Sequence, residues 1–295
     1  MQDLQYYDGT EWISLKGSDG QNGGDGTPPI QSGGRLTLSP TDPTPSQDIT
    51  GSTLYYLPSG SDTISLFDGE KWVSRIFEGF SADLAGLTNT IPYDVYILFD
   101  EATDSHKMEF VQWTNDTTRS AELVRQNGVY VSPSDSKKRY MGSVRKEADG
   151  LAHFTSSIKG VYNAFNRIGL SVGGANFIQH VYSGRAWRNW NNNTTPGEGR
   201  AYMLLGTPQP VSAVIVHLGW FYYAHVSFGD IAEPWNANMI YEGPAHNALA
   251  GTNESNACYR TVVMSARYTF IQSVEYGLDV NTTFQNFYMT ANYQG

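Results

Sequence analysis

Apolar and polar residues alternate along most of this chain in short runs bounded by turn residues. Arg35-Leu36-Thr37-Leu38-Ser39, Ser52-Thr53-Leu54-Tyr55-Tyr56-Leu57 and Thr63-Ile64-Ser65-Leu66-Phe67 carry the period of two that sets successive side chains on opposite faces of a strand. Further strands are expected over Asp94–Phe99, Lys107–Trp113, Gly128–Val131 after an Asn127-Gly128 turn, and Arg139–Arg145. Beyond residue 170 the clearest are Val211–Leu218 and Arg260–Tyr268. Short strands at this spacing predict one β-sandwich or small barrel over 35–150 and a second over 170–295.

One stretch changes period. Ile158, Val161, Phe165 and Ile168 lie three, four and three residues apart, with Ser and Thr near 155–157 as candidate N-caps and Gly169 as a stop. The spacing predicts a short helix over 151–169 joining the two β domains. The four positions fit the a and d sites of a heptad, and branched residues at both kinds of site favour three strands, so three copies could meet on a molecular axis. The alternative is a helix that covers its own domain, and Gly160 weakens so short a helix.

Residues 1–34 read as an arm. Tyr7-Asp8-Gly9-Thr10-Glu11-Trp12-Ile13-Ser14 returns as Phe67-Asp68-Gly69-Glu70-Lys71-Trp72-Val73-Ser74, and each copy predicts a hairpin with the aromatic facing Trp across the ladder. Between them Gly17, Gly20, Gly23 and Gly26 keep a period of three, a short collagen-like phase that hints at a trimer. A flexible Gly-rich linker explains the same residues.

Composition narrows the function. Charged residues make up 16% of the chain, below the typical figure of about 25%, while Gly, Tyr and Trp are plentiful, so turns and strands are favoured over helices. A net charge of -10 without a dense Lys/Arg cluster argues against nucleic-acid binding. No run is apolar and long enough to insert in a membrane, and the expectation is a soluble chain assembled in a cytoplasm. The single Cys258 has no partner for an intrachain disulfide and no metal-ligand spacing.

Catalytic candidates are few. Asp94, Asp100, Glu101 and Asp104 are the best paired-carboxylate set, but turn-favouring Asp in a solvated loop explains their placement without catalysis. His217 and His225 lie eight residues apart, about 26 Å on one extended strand, so only a hairpin could bring them to one metal. No cofactor fingerprint is present. Trp187, Trp190, Trp220, Tyr222 and Trp235 load the carboxyl-terminal part with rings that could stack on sugars or fill a core.

Several segments together resemble a module of tailed-bacteriophage and prophage virion proteins: Gly33-Gly34-Arg35-Leu36-Thr37-Leu38, Tyr55-Tyr56, Asp68-Gly69-x-x-Trp72, Pro92-Tyr93-Asp94-Val95-Tyr96 and Trp113-Thr114-Asn115-Asp116-Thr117-Thr118-Arg119. The likeness continues through Arg139-Tyr140-Met141-Gly142-Ser143-Val144-Arg145, Tyr162-Asn163-x-x-Asn166-Arg167 and Ala186-Trp187-Arg188, over roughly residues 33–190. It implies a non-enzymatic structural role as a fibre or capsid decoration on the virion surface. The expectation is a mostly β homotrimer held to capsid, tail or baseplate proteins by its amino-terminal arm, with a host surface glycan as an alternative partner and glycan depolymerisation as a further one.

Overall fold

The computed structural model describes residues 5–7, 12–14, 30–184, 187–220, 224–229, 254–276 and 282–295. The mostly β class holds: among the described residues there are strands, one three-residue 3-10 turn at Trp190–Asn192, and no α-helix.

Both copies of the aromatic repeat form hairpins. Gln5–Tyr7 pairs with Trp12–Ser14, with Tyr7 and Trp12 in register. Thr63–Phe67 pairs with Trp72–Ile76, Phe67 faces Trp72, and their ring centroids are 5.6 Å apart. The second turn is held by Asp68, whose Oδ1 accepts from the backbone N–H of Glu70 and Lys71, each at 2.8 Å, while Gly69 takes φ +114°. Those backbone donors hold the Asp68 carboxyl below its usual pKa. Gly17, Gly20, Gly23 and Gly26 lie outside the described residues. Residues 31–33, expected in the arm, lie along Thr63–Phe67, with Gly33 N–H donating to Thr63 O and Ser65 N–H to Gln31 O.

The first half builds a six-stranded antiparallel sheet centred on Pro92–Asp100 and Asp135–Arg145. Asn127 and Gly128, at φ +51° and +85°, turn Val124–Gln126 into Val129–Ser132 as the Asn-Gly pair predicts. A five-stranded sheet places Thr282–Gln294 between Gly169–Asn176 and Gln209–Trp220, with Glu254–Met264 outside the latter and His180–Tyr182 pairing with the start of Thr282–Gln294. A seven-stranded sheet joins Ile49–Gly51 to Ala152–Phe154 and, through Ile158–Lys159, to Arg200–Leu205 and Arg267–Tyr276. One hydrophobic cluster runs from Leu36 and Leu54 through Val95 and Met203 to Phe287 and Tyr293. Sequence-distant strands therefore share both a sheet and a core.

The expected helix over 151–169 is absent. Ala152–Phe154, Ile158–Lys159 and Val161–Asn163 are strands. Thr155 Oγ1 accepts from Ile158 N–H at 3.0 Å, as an N-cap would, but Thr155 N–H donates to Ile158 O at 2.7 Å and the chain doubles back. Gly160 then threads between two backbones, donating to His153 O and accepting from Arg145 N–H. These ladders with distant segments outweigh the local period. The four seam residues accordingly share no helical face: Ile158 and Val161 are buried in the chain's own core, and Phe165 and Ile168 pack half-buried against it. The Arg260–Tyr268 strand is also corrected. It breaks at Ser265-Ala266, where the chain leaves the five-stranded sheet for the seven-stranded one.

A Cβ on Gly160 would lie 3.0 Å from His153 O and 3.1 Å from Arg145 O. In a helix interior Gly160→Ala would stabilise by about 1 kcal/mol. In this strand crossing the exchange is expected to lower the urea midpoint instead, which equilibrium unfolding measures.

Candidate functional site

Asp94 stands on the Pro92–Asp100 strand directly opposite Ser143 in the sheet register, and both are buried. The preceding pattern explains the burial: Tyr93, Val95, Tyr96 and Ile97 are all inside, so the carboxylate enters the fold with its neighbours. Ser143 Oγ donates to Asp94 Oδ1 at 2.9 Å. Arg119 closes the site, donating from Nε to Oδ2 at 2.7 Å and from Nη2 to Oδ1 at 3.0 Å. The same Nη2 reaches Gly206 O at 2.5 Å and Tyr140 Oη at 3.2 Å, and the guanidinium lies 4.5 Å from the Trp113 ring centroid.

Burial pushes the Asp94 carboxyl above its usual pKa, and Arg119 opposes the shift. Burial alone would lower Arg119, but Tyr140 and Asp94 outweigh it and leave it raised. Two direct hydrogen bonds from a guanidinium favour the ionised pair at neutral pH.

The Trp113–Arg119 loop also feeds a second buried node. Arg145 Nε donates to Asp116 Oδ1 at 2.9 Å, its Nη1 is 2.6 Å from Glu147 Oε2, and its guanidinium lies 3.8 Å over the Tyr268 ring. Tyr268 Oη donates to Glu147 at 2.7 Å. A third node surrounds the buried Glu275: Arg188 Nε donates to Oε1, and His180 Nε2 is 2.6 Å from Oε2. Sequence reasoning named Arg119 only within a resemblance motif, without a role, and passed over Glu275. The available signal was a single charge inside an otherwise uncharged strand run, as in Phe270–Tyr276.

Of the candidate carboxylates, Asp94 and Asp100 do not converge. Asp100 is six residues from Asp94 on one strand, about 20 Å, beyond the spacing glycoside hydrolysis requires. Asp94 is inside the sheet and not in a solvated turn. Asp100 pairs with Lys107, which with the Ala102 N–H holds its pKa down to about 2, and Glu101 pairs with Arg75. Asp104 occupies the intervening turn at φ +48°. His217 and His225 sit on consecutive strands in different sheets, opposite Phe287 and Val274. Among the described residues no three His, Cys, Asp or Glu side chains group as metal ligands.

Of the aromatic set, Trp190 is buried against Phe287 and His180, at ring separations of 5.2 and 5.3 Å, so it fills the core and offers no sugar platform. Trp187 and Trp220 belong to strands opposite Tyr276 and Thr283, while Tyr222 and Trp235 lie outside the described residues. A groove of about 450 Å³ does open beside Arg119, lined by Thr117, Glu122, Tyr130, Thr207 and Ser265 among others.

No family model matches the chain, and no curated protein matches it. Among solved structures, it is weakly similar to a variant of the exo-beta-1,3-galactanase of Phanerochaete chrysosporium with beta-1,3-galactotriose, at 9% identity and TM-score 0.17, covering 82% of this chain and 68% of that one. The same enzyme with galactose gives 7% identity and TM-score 0.17, covering 80% and 78%. Likeness at that level carries no argument about fold or activity.

Truncating Arg119 to Ala would strand Asp94 inside the sheet and is expected to cost about 3–5 kcal/mol. The double exchange Asp94→Asn with Arg119→Met should cost clearly less than Arg119→Ala alone. Urea unfolding of the three proteins measures the difference.

Proposed function

We propose that this chain is a non-enzymatic structural component of a tailed-phage virion, a trimeric fibre or decoration protein held by its amino-terminal arm. The observation that carries the reading is where the resemblance residues are spent. Arg119 and Asp116 enter the first two of the three ion-pair nodes described above. Asn163 accepts from Leu36 N–H at 2.7 Å and donates to Leu36 O at 3.1 Å, acting as a strand partner built from a side chain. Arg35 donates to Pro43 O, and Asn166 to Gly34 O. A motif whose polar groups are consumed in joining strands specifies a scaffold, since catalysis needs such groups facing a substrate.

A second reading, binding of a host surface glycan, draws on the groove beside Arg119. Its hydroxyls, the Glu122 carboxylate and the Tyr130 ring are the kinds of group that meet sugar hydroxyls and sugar faces.

Sedimentation equilibrium of the full chain at micromolar concentration is expected to give about three times the 32.7 kDa of one chain, and antibody labelling is expected to decorate purified particles. Monomers together with unlabelled particles would refute the structural reading. For the second reading, a glycan array is expected to show spots bound by the full chain and lost on Tyr130→Ala.

A further inference from the structure

The five-stranded sheet buries one face in the core and turns the other outward. Burial alternates over residues 287–294: Phe287, Met289, Ala291 and Tyr293 are buried, and Tyr288, Thr290, Asn292 and Gln294 look out. The register aligns Ser171 and Ser212 with Asn292, and Gly173 and Val214 with Thr290. Ala175 and Val216 flank Tyr288, and Thr261 and Val263 on the outer strand oppose Ser212 and Pro210.

None of these outward positions carries a charge. Surfaces of soluble domains hold about 25–35% charged residues, so an uncharged face across four strands departs from what water alone would select. The face is also partly apolar: Val263 is 78% exposed, Phe177 59% and Tyr288 49%, with the last two rings 5.2 Å apart. Its hydroxyls already pair across the strands, Ser171 with Thr290 and Ser212 with Thr261, each at 2.8 Å.

We propose that this outward face is the surface through which copies of the chain meet, three such faces turned towards one three-fold axis. The inference rests on the trimer reading above and names the contact that reading leaves unassigned. Charge selects the occupant. Each copy carries a net charge of -10, so contact through an ordinary part of the surface sets like charges against each other, whereas this face brings none. Hydroxyl and amide groups both donate and accept, so identical faces can satisfy one another without a differently charged partner. The exposed Val263, Phe177 and Tyr288 supply the apolar contact that becomes dry on assembly.

Thr290 lies between Val214 and Gly173, near the middle of the face. Sedimentation velocity of the full chain is expected to show Thr290→Lys at the mass of one chain while the unaltered protein runs near three. Ile76→Lys, at an exposed site on another sheet, should remain trimeric. Near-UV circular dichroism identifies a misfolded variant, and Asn292→Lys then takes its place with the same expected loss. A trimeric parent whose Thr290→Lys and Asn292→Lys forms both stay trimeric overturns this interface and leaves the trimer reading standing. A monomeric parent overturns both. If the parent and variants are all trimeric and the variants alone lose adsorption to host cells, the face belongs to a different partner and the inference fails.

Discussion

A carboxylate and a guanidinium withdrawn from water must find nearly all their hydrogen bonds inside the fold, and the Asp94–Arg119 pair shows what that demands of the surrounding chain. Ser143 has to stand opposite Asp94, which sets the register of the two central strands. Tyr140 Oη and the carbonyl of Gly206 accept from the same Nη2 that reaches Asp94. Space is correspondingly short: a Cβ on Gly206 would fall 2.3 Å from Tyr140 Oη, and one on Gly142 2.0 Å from Tyr162 O. Glycines, sheet register and the loop that delivers Arg119 are thus one problem with one solution.

Two further arginines are buried on different terms. Arg35 and Arg139 donate to backbone carbonyls, Pro43 and Gly295 for the first, Gln31 and Ser65 for the second. Burial lowers both to about 10, which leaves them charged at neutral pH. Lys146 does the same with the carbonyls of Leu84 and Leu87. Cations here act as clasps that tie backbone carbonyls of sequence-distant segments together.

Legibility in the sequence followed the range of the interactions. Alternation and turn chemistry are local, so Thr63–Phe67 appears with the expected bounds and the Asn127-Gly128 turn with the expected φ. The 151–169 segment was illegible because its hydrogen-bond partners, Ile49–Gly51, Arg145 and Tyr202, lie up to about a hundred residues away, and an accidental spacing of three and four imitated a helix. The polar nodes were half legible. Asp94 stood out as an acid, but Arg119 gains its meaning only once a loop folds over the sheet. Trp190 was visible as a ring, whereas its burial depends on Phe287, nearly a hundred residues on.

The order of strands in the five-stranded sheet bears on how the protein is made. Thr282–Gln294 comes last of these strands in the chain yet lies between Gly169–Asn176 and Gln209–Trp220. During synthesis Gly169–Asn176 and Gln209–Trp220 emerge before the strand that joins them, so even once Glu254–Met264 pairs with the latter each keeps an unsatisfied edge, and the sheet closes only when its middle strand leaves the ribosome. A nascent chain interrupted before residue 282 therefore holds two open strand edges that any other strand could join.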